Sequence, residues 1–495
     1  MSVRCAEYAG KTRGWERGPL LGAAGSAHRR SLGVLLTIVV GAVSLVLTAC
    51  SPKVHRSVKE TPITELRIEP WVEQSFQVSP DNRHAAFVRR TGVQWQIQVD
   101  GQVGPSYDLV TRGGQFFSHD SRRVAHLAQQ GSQWFVVADG VEGERYDAIE
   151  AFSLVFSPDS QRLAYAAHTD GRWFVVVDGH ASKGYEAIVA GSLIFSPDSR
   201  RVACAVQEEG KQFVTVDGSE QQSWEAVSGS TLVFSPDSQR LAYAVLDGSQ
   251  QRVVVDGVPS KAFDVVEAGS LQFSPDSRHV AFSASIADRW FAVVDGAEGP
   301  RFDSFGHRSL VFSPNSQRIA YFAQRAGQWV VVVDDNEGSA YRAIAGDTLL
   351  FSPDSTRVAY AAQGDSGWAV VDTGGAGKAY TTIARGSLRF SPDSKRLAYV
   401  AQRGTQWHVV ADGKEGKPYD VVGASTLAFT PDSRHLAYSA QAGDQQFVVL
   451  DDTEGKHYTA IVTLGGGRIV FDGPLAMHYI ALAQNVLLLV EETLG

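Results

Sequence analysis

Two sets of charged side chains return at one fixed interval along the chain. Aspartates stand at Asp81, Asp120, Asp159, Asp198, Asp237, Asp276, Asp354, Asp393 and Asp432, with Asn315 completing the set. Three residues after each comes a base: Arg123, Arg162, Arg201, Arg240, Arg318, Arg357 or Arg396, or His84, His279 or His435. A carboxylate and a cation so spaced can hold an anion or a metal, or can cap a turn and pair locally. Repetition separates the two, because a site for one ligand needs one copy, and these residues read as turn caps and local ion pairs. Calcium needs several oxygen ligands close together in sequence. Asp334-Asp335-Asn336-Glu337 and Asp451-Asp452 are the candidates, and both read as solvated hairpin tips. A zinc His-Glu-x-x-His motif, a phosphate-binding glycine loop and a Gly-x-Ser-x-Gly elbow are missing from the sequence. No disulfide framework or metal cluster can be built from Cys5, Cys50 and Cys204. Cys204 stands where adjacent copies have Tyr165 and Tyr243, which reads as a buried strand position. No cofactor and no metal are expected.

The element that must carry these charges is a repeated phrase, Phe156-Ser157-Pro158-Asp159-Ser160-Gln161-Arg162-Leu163-Ala164-Tyr165. Its proline recurs at Pro80, Pro158, Pro197, Pro236, Pro275, Pro314, Pro353, Pro392 and Pro431, with His119 in the one gap, so ten copies lie 39 residues apart without an insertion. A fixed period of this length means a repeat array. Each copy holds four β-signals, in the third copy residues 153–156, 163–167, 173–177 and 185–189, with turns at Ser-Pro-Asp-Ser and Asp178-Gly179. Four antiparallel strands in about 40 residues make one propeller blade. An alanine in every second strand, an aromatic opening every fourth (Tyr185, Trp224, Phe263) and a tryptophan opening most third strands read as packing between blades.

The rest of the chain fits an exported all-β protein. At 495 residues, 44% apolar and with 48 glycines, it is long enough for a large core and too rich in turns for a helical array. His28-Arg29-Arg30 precedes an apolar run from Leu32 to Leu47, the pattern of a secretory signal and too short for a lasting transmembrane helix. Without residues 1–49, 39 basic face 52 acidic side chains, a net charge near −13 that argues against nucleic acid as a partner. Leu47-Thr48-Ala49-Cys50 resembles the lipobox of bacterial lipoproteins, which implies acylation of Cys50 and a membrane anchor. Ser51, in place of the aspartate that favours inner-membrane retention in such lipoproteins, points to the outer membrane or cell surface of a bacterial envelope. The expected organisation is a signal peptide over 1–49, a lipidated Cys50 with a tether over 50–62, and a propeller array over 63–495. Residues 63–72 align with a lone fourth strand, and residues 467–472, 479–484 and 486–491 with the first three strands of an eleventh unit. One borrowed strand would close a single ring of eleven blades; two rings of five and six would need a second closure.

The repeated phrase, as at residues 234–243 and 390–399, also resembles the TolB-type, WD-like propeller repeat of bacterial envelope proteins, over essentially the whole mature chain. The resemblance implies the fold. TolB proteins carry a separate α/β domain before a smaller propeller, and no βαβ pattern precedes this array, so no partner follows from it. Gly364-Asp365-Ser366-Gly367 resembles the nucleophile loop of trypsin-like serine proteases but falls in a turn between strands two and three. The reading is therefore a non-catalytic binding scaffold for an envelope protein or a glycan. An asymmetric partner must use the copies that deviate, and the candidates are Phe305, His307, Arg308, Glu208, Glu209 and Arg389. The alternative is a propeller enzyme, a lyase or hydrolase acting on extracellular polysaccharide, which would bring deviating charges together in the channel.

Overall fold

Two turns built from short side chains fold each repeat. The computed structural model describes residues 55–66, 73–111 and 116–495; the chain divides into two units between residues 52 and 53, and the described residues all lie in the second. In the third repeat Ser157 Oγ donates to Asp159 Oδ1 at 2.6 Å, and the same oxygen accepts the Gln161 amide at 3.0 Å. The Ser157 bond holds the Asp159 carboxyl below its usual range. This turn joins an inner strand ending at Val155–Phe156 to a second strand, Leu163–Thr169. Asp178 and Gly179 take φ of 52° and 79°, the paired positive values of a type I′ hairpin, and join the third strand, Arg172–Val177, to an outer piece at His180–Ala181.

The expected fourth strand over 185–189 is divided between two blades. Tyr185 bridges Trp173 in its own sheet, whereas Ala187–Ile188 pairs with Gln207 and Val206 of the next repeat. At several such crossings the intervening side chain caps a turn of the next blade, as Asp108 accepts Gly131 N–H at 2.7 Å and Asp264 accepts Ala287 N–H at 2.7 Å. From the third blade on, each inner strand therefore has two pieces, Ala148–Ile149 and Val155–Phe156 in the third, on one edge of the second strand. Blades one to ten carry the turns from Pro80 to Pro431, with His119 in blade two, and blade eleven holds Val470–Gly473, Ala476–Ala483 and Val486–Leu494. These eleven antiparallel sheets form one ring, not two.

The contact between blades is the same all round. The second-strand alanines, Ala86 through Ala437, have no exposed surface in any of the ten repeats. Farther out, rings meet across the gap, Tyr146 edge-on to Tyr165 at 6.1 Å and Tyr419 to Tyr438 at 6.2 Å. Inner edges touch directly, Phe116 N–H to Gln77 Oε1 at 3.0 Å and Gln272 Nε2 to Leu310 O at 2.6 Å, whereas outer edges meet through long side chains such as Lys378 and Glu415. The repeated arginine does not pair with the aspartate three residues before it. Arg162 Nε reaches Asp178 at 2.9 Å, and its Nη1 donates to Ser199 O and Arg200 O of the next blade, with the guanidinium over Phe195. The aspartate's Oδ1 is engaged by its own turn, while its amide donates to Ser199 Oγ across the gap at 2.9 Å.

The closing strand starts earlier than expected. Arg56–Glu65 pairs antiparallel with Val486–Leu494, so it occupies part of the expected tether, while Ile68 and Glu69 of the expected strand lie outside the described residues. Arg56 sets the register: its Nε and Nη2 hold Glu492 at 2.6 and 2.9 Å, and its Nη1 donates to Val448 O and Thr453 O. Tyr479 also donates to Glu492 at 2.6 Å. The Arg56 and Glu492 side chains are 8% and 0% exposed, so a slip by one residue would strand a buried charge. Where blade eleven meets blade one, Asn82 replaces the bridging serine, and its longer Oδ1 accepts Arg468 N–H, just before the inner strand of blade eleven, at 3.0 Å.

Two measurements follow. Arg56→Met leaves Glu492 buried without its cation and should lower the unfolding free energy by about 3–5 kcal/mol in denaturant titration, whereas Lys59→Met removes only an exposed pair with Glu491 and should change little. His126, at the position of Tyr165, is 4% exposed with no partner for either ring nitrogen, and burial pushes its pKa down from 6.5 to about 4. It stays neutral when folded and gains a proton when unfolded, so its effect is absent above pH 6.5. Stability should then fall towards pH 4 by about 3 kcal/mol, a slope that His126→Phe removes in melting curves across pH.

Candidate functional site

The inner strand pauses between its two pieces, and the pause is built the same way in blade after blade. In blade three Ser153 N–H and Oγ both donate to Glu150 O, at 3.1 and 2.7 Å, and Ser153 Oγ accepts Ala166 N–H at 2.9 Å. The hydroxyl replaces the backbone partner that the pause takes from the second strand. Ser75, Ser192, Thr231, Ser270, Ser309, Thr348, Ser387 and Thr426 accept the corresponding amides of Val88, Ala205, Ala244, Ser283, Phe322, Ala361, Val400 and Ser439. Each pause lies on the inner edge of its blade, so its tip lines the central channel.

The tip residue, one before the hydroxyl, is where the repeat stops repeating. It is Gln74, Phe152, Ser230, Arg308, Asp347 or Ser425, glycine in blades four, six and nine, and Leu464 at the matching place in blade eleven, where Gly465 takes the hydroxyl's position. Phe152 and Leu464 are 73% and 62% exposed. A constant backbone thus presents a changing row of side chains at one level of the channel wall. Between blades six and seven the row carries a charged cluster. Glu267 Oε1 lies 2.7 Å from His307 Nδ1 and accepts Arg308 N–H at 3.1 Å, and Ser283 Oγ donates to the other carboxylate oxygen. The carboxylate stands between hydroxyl and imidazole, so the serine does not touch the base that a nucleophile needs. The Arg308 side chain lies over Gly269, where a Cβ would come within 2.7 Å of Nε.

The six candidates read from the sequence separate. His307 and Arg308 belong to this tier, and Arg389 lies just below it in the second inner piece of blade nine. Phe305 does not face a partner. It is 9% exposed and stacked on Tyr321 at 4.8 Å, because its inner piece pairs with Ala323 and turns the ring into the gap between blades. Glu208 is held by Arg172 at 2.7 Å, which lowers its pKa, and Glu209 takes φ +48° in the following turn; both belong to the turn after the second strand, not to the tier. Cys50 lies outside the described residues. Asp334-Asp335 and Asp451-Asp452 have positive φ throughout and are type I′ hairpin tips, and Asp365-Ser366 is a two-residue hairpin turn. Glu267, Phe152, Asp347 and Arg385 were not singled out from the sequence, although the variable positions before an otherwise constant Ser or Thr carried the signal.

A cleft of about 620 Å³ opens between blades five and six beside Val258, Pro259 and Phe282. Its rim charges are already paired, Arg240 with Asp256 and His279 with Asp295.

No family model and no curated protein matches the sequence. Among solved structures the ring is similar to a eukaryotic initiation factor, at 14% identity and TM-score 0.39 over 72% of this chain and 90% of that one. It is also similar to the Dos1 propeller, at 12% and 0.31 over 68% and 90%, and to the dihydro-heme d1 dehydrogenase NirN, at 16% and 0.29 over 81% and 77%.

Frame and display should respond differently to substitution. Ser192→Ala orphans the buried Ala205 amide and should cost about 1–3 kcal/mol, whereas Phe152→Ser at a tip should stay within about 0.5 kcal/mol, both read by denaturant unfolding.

Proposed function

We propose that this chain is a lipid-anchored, exported scaffold of the bacterial envelope that binds a protein or glycan partner on its channel wall without covalent chemistry. The carrying observation is the contrast at the pauses of blades one and three to ten, where a Ser or Thr hydroxyl holds the frame and the tip beside it changes from blade to blade. Evenly repeated residues serve the ring, so variation at one level serves something that is not eleven-fold symmetric. The Leu47-Thr48-Ala49-Cys50 resemblance and the TolB-like phrase support the envelope setting. Crosslinking in intact cells, followed by recovery of the mature chain with its lipid, should yield a partner that is lost when residues 307–308 are replaced by 190–191 of blade four, which leaves Gly306, packed against Phe322, unchanged. A partner retained by that variant would place binding elsewhere, and a Cys50→Ser chain that still fractionates with membranes would remove the anchor.

The Glu267–His307 pair favours one second reading, an enzyme acting on extracellular polysaccharide with carboxylate and imidazole as proton-transfer groups. Polysaccharide cleavage abolished by Glu267→Gln would establish it, and no cleavage by the parent chain would dismiss it.

A further inference from the structure

The eleven blades serve as each other's controls, and against them three arginines stand out. Arg389 occupies an inner-strand position held by Val155, Ile194, Val233, Val311, Leu350, Ala428 and Phe116 in other blades and by glutamine at Gln77 and Gln272, which bond the neighbouring blade; no other blade places a charge there. Of these, Val155, Ile194, Val233, Val311 and Leu350 pack into the hydrophobic clusters between blades. Arg389 is half-buried there, donates to Leu388 O at 2.7 Å and has no carboxylate partner among the described residues. Burial pushes its pKa down, a sign that the site works against the charge it carries. Arg308 takes φ +51° at a tip where blades four, six and nine place Gly191, Gly269 and Gly386 at 70°, 82° and 63°. Asp347 takes the same left-handed backbone, at 64°, at the matching tip of blade eight, a conformation that glycine adopts more easily. Arg385 is exposed in the pause of blade nine, four residues before Arg389. Neither the Arg308 nor the Arg385 guanidinium is paired with a carboxylate among the described residues, although Glu267 accepts the Arg308 backbone amide at 3.1 Å. By contrast the turn arginines Arg162, Arg240, Arg318 and Arg396 each hold an aspartate.

We infer that the channel wall of blades seven to nine binds the oxyanion groups, carboxylate or sulfate, of an acidic glycan through Arg308, Arg385 and Arg389. The inference rests on the binding reading above and names its ligand. Guanidinium groups free of protein carboxylates are the donors that fit such oxyanions. At the spacing of about 10 Å between packed sheets, blades seven and nine lie about 20 Å apart along the wall, with exposed Asp347 on the blade between them. That separation suits an extended chain with spaced charges over a single small anion. A glycan fits better than an acidic protein segment, because a protein interface needs clustered aromatic or aliphatic anchors. Here Phe152 and Leu464 stand on separate blades, and the remaining tips are Gly, Ser, Gln, Arg or Asp. The chain as a whole is acidic, so loose attraction to polyanions is suppressed and any affinity must come from these side chains.

The test uses the mature chain, with oligogalacturonate as the carboxylate probe, dextran sulfate as the sulfate probe, and neutral dextran and polyglutamate beside them, titrated by calorimetry at two salt concentrations. Either acidic glycan should bind, more weakly at high salt, and affinity should fall tenfold or more in Arg308→Gly and Arg389→Val, while both variants melt at or above the parent temperature. Arg385→Gln, exposed and irrelevant to folding, should weaken binding by a similar factor. Unchanged affinity in all three variants overturns the inference, as does a loss of affinity that follows a lowered melting temperature. Polyglutamate bound more tightly than either glycan, with the same arginine dependence, would replace the glycan by an acidic peptide. If no polyanion binds and the crosslinked partner is still lost on replacing residues 307–308, the oxyanion claim fails while the scaffold reading stands.

Discussion

A ring of repeated blades closes only if every interface has the same thickness, and in this protein a buried alanine sets that thickness. With no exposed surface at the second-strand alanine in any repeat, there is no room for a larger side chain near the axis, and the aromatic rings that would not fit there fill the wider gap outside. Overpacking at the narrow end would open the wedge, and a void at the wide end would close it. The polar links act on the same interface from the turn side. An amide-to-serine bond, from Asp81 to Ser121 through Asp393 to Ser433, ties each turn to the next, and the arginine stacked on the neighbouring phenylalanine adds a second tie. These contacts recur with local changes, histidine standing for the arginine in blades one, six and ten and an Asn82–Arg468 bond replacing the amide-to-serine link between blades eleven and one, and the array returns to its start.

The return is secured by a different kind of bond. Apolar contacts and single hydrogen bonds suffice between ordinary neighbours, where chain continuity already holds the register. The closing strand lacks that continuity and is aligned by a bidentate arginine–glutamate pair removed from water. Such a pair adds little net stability compared with apolar packing, but it penalises every wrong register.

Much of this was readable in the sequence, since period, turns and alanines are local signals repeated ten times. The strand boundaries were less readable. Tyr185 and Ala187 are two residues apart in one apolar stretch, and hydropathy cannot show that the first bridges its own sheet and the second belongs to the next. The closing strand was placed seven residues late because its residues, Arg56 through Glu65, follow a partner in blade eleven that departs from the repeat. The site was half readable for a related reason. His307 and Arg308 stood out as deviations, but Phe305 stood out equally, and burial alone separates a variable core position from a variable surface one. The pause in the inner strand left only a serine or threonine as its trace, and its meaning came from the amide it accepts across the sheet.

The two ends of the array lie side by side. The His55 amide donates to Gly495 O at 2.9 Å and the Gly495 amide to His55 O at 2.8 Å. In connectivity the ring is then nearly a circle, cut at one point, and no blade is first in any sense the packing recognises. Joining these ends through a short linker and cutting any of the other exposed turns would give a chain with new termini and the same set of neighbours. The order in which the blades are written in the sequence is thus separable from the order in which they stand around the channel.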